Sequence, residues 1–146
     1  MISLATVDDT REFGRRLAAV LRPGDLVLLS GPLGAGKTAL AQGIGAGLHV
    51  REEVTSPTFV IARVHRGDMT LVHADAYRLG DAAEIDDLDL DAAAEDAVTV
   101  VEWGEGRAEH LNDAYLKVRI DRRDDDTRTV ELVPHGGDWA ERLEKL

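Results

Sequence analysis

Eight consecutive residues, Gly31-Pro32-Leu33-Gly34-Ala35-Gly36-Lys37-Thr38, follow the pattern glycine, four residues, glycine, lysine, serine or threonine. Each type has a task. Glycines let the backbone curl so that successive N–H groups point inward at phosphate oxygens. A helix starting at the end of the loop adds the positive field of its N-terminus. Lys37 supplies a point charge for the β- and γ-phosphates, and the Thr38 hydroxyl is a hard oxygen suited to Mg²⁺. With 14 Gly, three Lys and 12 Ser and Thr in 146 residues, a chance match anywhere in the chain is expected with a frequency of roughly 0.002. Pro32 removes one donor at the first variable position, while Leu33, Gly34, Ala35, Gly36, Lys37 and Thr38 keep theirs.

Phosphate chemistry also needs a carboxylate at the end of a neighbouring strand, to hold Mg²⁺ or its water. Two candidates stand at the ends of apolar runs: Asp75 after residues 69–74, and Glu102 after residues 97–101. Glu102 is assigned to the metal shell and Asp75 to positioning or activating water, with the swapped assignment as the open alternative.

These groups require a frame. Leu26-Val27-Leu28-Leu29 and Ala97-Val98-Thr99-Val100-Val101 are continuous apolar runs, as strands covered on both faces require. A helix is predicted from about Lys37 to Leu48, weakened by Gly43, Gly45 and Gly47; close packing against a neighbour is the preferred account of those glycines. An earlier helix carries Phe13, Leu17, Val20 and Leu21 on one stripe, with Asp8 or Asp9 as its expected cap. Residues 59–64 and 69–74 read as strands of a hairpin around Arg66-Gly67-Asp68. Residues 116–120 and 129–133 read as a second hairpin, towards a sheet edge. Residues 139–146 read as a short C-terminal helix. Thr55-Ser56-Pro57-Thr58 is a loop by composition. Residues 81–96 hold eight acidic side chains and no basic one, the pattern of a solvated face. The expectation is one α/β domain over residues 1–146, P-loop NTPase-like, with a mixed sheet flanked by helices.

Composition narrows the function. The chain has no cysteine, which excludes disulfides, thiolate metal sites and a cysteine nucleophile. Its 28 acidic and 17 basic residues give a formal charge of −11, unsuited to neutralising nucleic-acid phosphates or docking on an anionic membrane. Without an N-terminal signal pattern or an 18-residue apolar run, a cytoplasmic protein is expected. The sole asparagine, Asn112, is followed by Asp113-Ala114, so the Asn-Lys-x-Asp segment that reads guanine is absent. The five histidines, His73 among them, lack close zinc spacing and are read as surface or hydrogen-bonded groups.

Four blocks together resemble the TsaE (YjeE) family, bacterial ATPases needed for threonylcarbamoyladenosine modification of tRNA. They are the phosphate loop; Val54-Thr55-Ser56-Pro57-Thr58-Phe59; His73-Ala74-Asp75-Ala76-Tyr77-Arg78-Leu79; and Val101-Glu102-Trp103. The resemblance implies that Lys37 and Thr38 bind ATP and Mg²⁺. It implies Glu102 as the second metal-associated residue, and Asp75 as essential for turnover. It implies Thr55, Ser56, Pro57 and Thr58 as a switch-like loop near the γ-phosphate, Trp103 as lining the site, and Thr10 and Arg128 as framing adenine. It also implies a protein partner, a TsaB–TsaD-type heterodimer that modifies adenosine 37 of tRNA, without direct nucleic-acid binding by this chain alone. Two positions depart from the family pattern: Pro32 stands where Asp is frequent, and Gly104 where proline often follows Glu-Trp. A small-molecule P-loop kinase is the alternative, disfavoured by dispersed arginines; a nucleotide-sensing module with negligible turnover is a third reading.

Overall fold

The computed structural model describes residues 2–31, 36–49, 62–65, 70–75, 97–102, 114–125 and 127–145. In chain order these form β1 (Ile2–Leu4), α1 (Val7–Ala18), β2 (Leu26–Ser30), α2 (Lys37–Gly47), β3 (Ala62–His65), β4 (Thr70–Asp75), β5 (Ala97–Glu102), β6 (Tyr115–Arg122), β7 (Arg128–His135) and α3 (Trp139–Leu143). The described strands make one sheet in the order β1-β7-β6-β2-β5-β4-β3. The two continuous apolar runs lie side by side as β2 and β5, parallel and buried at every residue. Strands β6 and β4 extend the parallel block on either side, while β7, β1 and β3 are antiparallel additions. The expected mixed sheet is therefore present in a P-loop NTPase-like fold.

Helix α1 is capped two to three residues earlier than the acidic residues suggest. Thr6, with φ −134° and ψ 167°, is the N-cap. Its Oγ1 accepts from the Asp9 N–H at 3.1 Å, and Asp9 Oδ2 accepts from the Thr6 N–H at 3.2 Å. The expected cap at Asp8 or Asp9 is thus corrected: Asp9 is the third helical residue of a capping box, and Asp8 lies in the first turn, where a carboxylate also suits the helix dipole.

The buried residues of α1 are Thr10, Phe13, Gly14, Leu17 and Ala18; Val20 and Leu21, expected on the same stripe, lie beyond the helix, which ends at Ala18. Phe13 and Leu17 share a core with Leu40 and Ile44 of α2 and with Val27, Leu29 and Val100 of the sheet. Burying each such side chain contributes about 1.5–3 kcal/mol. The two helices cross with almost nothing between them. A Cβ on Gly43 would lie 2.0 Å from the Arg11 carbonyl oxygen, and one on Gly14 would lie 2.5 Å from that of Leu40. Close packing is therefore the physical reason for Gly43, and likewise for Gly47, whose Cβ would lie 2.5 Å from that of Ala18.

Both hairpins form as antiparallel pairs, β3 with β4 and β6 with β7. The second lies towards the edge as expected, one strand in from it: β6 is beside β2, and the short β1 covers the start of β7, with Ile2 opposite Val130 and Leu4 opposite Arg128. At the other end of the parallel strands, α3 is tied to the turn before β2. Arg142 donates to both carboxylate oxygens of Asp25 and to the Val20 carbonyl.

Candidate nucleotide site

Strands β2, β5 and β4 run in the same direction, so Ser30, Glu102 and Asp75 come to one edge of the sheet, their carboxyl ends. In open parallel sheets this is the edge where ligands bind. Chain register makes the grouping tight. Leu29 is opposite Glu102, and Glu102 is opposite Asp75. Neighbouring strands are about 4.8 Å apart, so the two carboxylate positions read from the sequence are in adjacent strands, Glu102 one strand and Asp75 two strands from the start of the phosphate loop.

The loop's two ends are defined by glycines that no other residue replaces comfortably. Gly31 has φ +138°, and a Cβ there would lie 2.0 Å from the Ile120 carbonyl oxygen of β6. Gly36 has φ +112° and is the N-cap of α2. That helix has no side-chain cap and no acidic residue in its first turn. Its opening N–H groups are thus offered without a competing side-chain acceptor or a repelling charge, which is the arrangement an anion needs. Residues 32–35, and with them Leu33, Gly34 and Ala35, lie outside the described residues.

Lys37 is the first residue of α2 and is only 5% exposed. Its Nζ donates to the Gly31 carbonyl oxygen at 2.7 Å, spanning the loop from end to start. A buried ammonium needs acceptors, and here it stands at the base of the loop where phosphate oxygens would meet it. Thr38 follows on the helix, half-buried.

Across the strand edge, Glu102 is 4% exposed, and one carboxylate oxygen, Oε2, lies 2.6 Å from Nε2 of His73 on β4. His73 is completely buried. This pair escaped the reading of the sequence, which took His73 as an ordinary histidine. Its signal was the alternation His73-Ala74-Asp75 at the end of an apolar run, informative only once β4 and β5 are known to be neighbours. Asp75 is located by its backbone, in register with Glu102.

Thr10 and Arg128, distant in sequence, converge on the loop. A Cβ placed on Gly36 would meet Ile120 Cδ1 at 3.3 Å, Arg128 Nε at 3.7 Å and Thr10 Cγ2 at 3.8 Å. Both residues are buried, and Thr10 Oγ1 donates to the Thr6 carbonyl at 3.2 Å. Thr55, Ser56, Pro57, Thr58 and Trp103 lie outside the described residues, so the switch-like loop and the aromatic wall belong to the sequence expectation alone.

The donor chemistry suits a hard cation shared with phosphate. Among the described residues no three His, Asp or Glu side chains gather as an all-protein metal cage. One hydroxyl and one carboxylate beside an anion-accepting helix end instead match the way Mg²⁺ is held, through few protein oxygens together with water and phosphate. No helix among the described residues is long and apolar enough to cross a membrane.

Comparison with known proteins agrees in fold and family. The family described as "Threonylcarbamoyl adenosine biosynthesis protein TsaE" matches residues 4–130. The chain is 59% identical over 138 residues to the tRNA threonylcarbamoyladenosine biosynthesis protein TsaE of Streptomyces coelicolor, covering 89% of this chain and 93% of that protein. It is 36% identical to the protein of the same name from Bacillus subtilis, over 95% of this chain and 88% of that one. The crystal structure of Bacillus subtilis YdiB superposes with a TM-score of 0.81 at 29% identity, covering 99% of this chain and 90% of that chain.

Proposed function

The chain belongs to the TsaE family of threonylcarbamoyl adenosine biosynthesis proteins, and we propose that it is the ATP-binding and ATP-hydrolysing subunit of that tRNA modification, slow alone and stimulated by a TsaB–TsaD-type protein partner. The observation that carries this reading is the placement of Lys37. It lies buried at the first position of α2, bonded back to Gly31, at the same sheet edge as the Glu102 carboxylate.

In this reading the residues divide the work. Backbone N–H groups of Leu33, Gly34, Ala35, Gly36, Lys37 and Thr38 cradle the phosphates. Lys37 exchanges its Gly31 carbonyl for β- and γ-phosphate oxygens, at little cost because one acceptor replaces another. Thr38 and Glu102 hold Mg²⁺ or its water, and the ion when bound would neutralise charge on the transferred phosphoryl. Asp75 orients the attacking water. Thr55, Ser56, Pro57 and Thr58 sense the γ-phosphate, Trp103 lines the site, and Thr10 and Arg128 frame the adenine.

The charge of −11 supports a protein partner over naked tRNA, since RNA phosphates would be repelled rather than neutralised. A cytoplasmic, single-domain protein is consistent with this assignment. Hydrolysis would release the contacts that order the switch loop and so reset the partner complex.

The test is direct. Wild-type protein should hydrolyse ATP only with Mg²⁺, faster with TsaB and TsaD homologues present, and should retain those homologues in a pull-down that depends on ATP. Lys37→Ala and Glu102→Ala should each abolish turnover. Undiminished hydrolysis in both variants, or turnover strictly dependent on a metabolite acceptor, would refute the assignment.

A further inference from the structure

His73 has a task that its burial alone does not explain. It is completely enclosed, yet it is an imidazole on the sheet face it shares with Leu71 of β4 and with Val98 and Val100 of β5, all of them fully buried. A leucine would fill such a place without a polar atom to satisfy. The ring meets one acceptor, Glu102 Oε2, at 2.6 Å. A carboxylate oxygen accepts, so the tautomer with its hydrogen on Nε2 is the one that makes this bond. Among the described residues no partner meets the other nitrogen, Nδ1. The whole hydrogen-bonding capacity seen for this ring is thus spent on a single carboxylate oxygen.

The ladder explains why that oxygen is reached. His73 is opposite Val100, and Glu102 is two residues further along the same strand, hence on the same face. A glutamate at a strand end has three rotatable side-chain torsions, and a short bond to one carboxylate oxygen removes most of that freedom. Fixing Oε2 also fixes where Oε1 is directed.

We propose that His73 is a positioning residue: by donating Nε2–H to Glu102 Oε2 it holds the Glu102 carboxylate in the orientation that receives Mg²⁺, or its water, beside the phosphate loop. This rests on the reading of Glu102 as part of the metal shell. A buried donor of this kind behind a ligating carboxylate is worth about 10- to 100-fold in metal affinity or activity. His73 itself touches neither metal nor nucleotide.

Two variants separate positioning from packing. His73→Leu keeps bulk and removes the donor; His73→Gln places an amide N–H₂ near the site of Nε2. Calorimetric titration with a non-hydrolysable ATP analogue, with and without Mg²⁺, supplies a readout apart from turnover. In His73→Leu, binding without Mg²⁺ should stay at the wild-type level, while the gain in affinity on adding Mg²⁺ and kcat should each fall about tenfold or more. His73→Gln should recover most of both. In the wild-type protein, nitrogen-15 spectra of His73 should show Nε2 protonated and Nδ1 bare, a readout that needs no variant to fold. Loss of binding with and without Mg²⁺ alike, in proportion to lost thermal stability, would reduce His73 to packing and overturn the proposal. So would His73→Leu with wild-type Mg²⁺ dependence, or a bare Nε2. If Glu102→Ala also keeps wild-type Mg²⁺ dependence, the metal-shell reading fails first and the role of His73 falls with it. If Glu102→Ala loses that dependence and His73→Leu does not, only the positioning role is wrong.

Discussion

The guanidinium of Arg142 grips the Asp25 carboxylate with both its terminal nitrogens, at 2.6 and 3.0 Å, across 117 positions of sequence. Side chains of both are nine-tenths buried or nearly so, at 8% and 10% exposure. The guanidinium also lies 3.9 Å from the Trp139 ring centroid, and the bond to Asp25 raises its pKa above the ordinary arginine value, with burial opposing and the Asp25 and Asp138 charges assisting. The pair closes the C-terminal helix onto the turn that launches β2, the strand leading into the phosphate loop.

Removing one member therefore strands the other. Arg142→Ala should cost about 3–5 kcal/mol in urea unfolding, the usual loss when a buried partner charge is left behind. A double variant, Asp25→Leu with Arg142→Met, should recover a large part of that loss. Equal destabilisation by the single and double variants would contradict this account.

A pH effect follows from Asp138, which takes Arg142 Nε at 3.0 Å and Arg22 Nη1 at 2.8 Å. Burial pushes its pKa up, but the charges of Arg142 and Arg22 outweigh it, and the net direction is down. A carboxyl depressed in the folded state contributes stability that is present above its unfolded pKa and is lost as pH falls through the folded one. Wild type should therefore be the more stable by a constant margin above the ordinary aspartate pKa of about 3.9, and its margin over Asp138→Asn should shrink as pH falls below that value. Curves that stay parallel across the whole range would exclude the linkage.

What could be read from the chain divides along physical lines. The position of Lys37 at the head of a helix was legible because the phosphate-loop pattern sets a strand before it and a helix after it, and that of Glu102 at a strand end, with β2 and β5 themselves, because doubly covered strands leave an unbroken apolar run. Strand β1 was not legible: Ile2, Ser3 and Leu4 are too few to show a period, and only β7 recruits them. Thr6 was hidden because Asp8 and Asp9 compete for the same cap, and the box here uses aspartate where glutamate is usual. The contact of His73 with Glu102 depends on which strands are neighbours, and strand order is written in no local pattern. Equally, Thr10 and Arg128 meet at Gly36 through three elements that sequence separates.

The helix crossing yields a third expectation. Gly43→Ala gains about 1 kcal/mol of helix propensity, but its Cβ would enter backbone atoms of Arg11, with the carbonyl oxygen at 2.0 Å. Backbone cannot rotate aside as a side chain can, so overpacking wins. A net loss of about 1–3 kcal/mol is expected by thermal or urea denaturation. Neutral or improved stability would show that α1 and α2 separate freely, which the buried Phe13 and Leu17 between them and the sheet argue against.

Arg128 offers the sharpest test of how the site divides between phosphate and base. It reaches within 3.7 Å of the Cβ position at Gly36, and Thr10 approaches the same point to 3.8 Å. If these two frame the adenine, their effect is confined to the nucleoside end of the ligand. Arg128→Ala should then weaken ATP binding by about tenfold, equivalent to 1.4 kcal/mol, while leaving the affinity for tripolyphosphate, which has no base, as it was. Lys37→Ala, by contrast, should weaken both ligands alike. Calorimetric titration of both ligands against the two variants and wild type gives the comparison, with the circular dichroism spectrum of Arg128→Ala confirming that the hairpin is intact. An equal loss for tripolyphosphate and ATP in Arg128→Ala would move that arginine from the base to the phosphates.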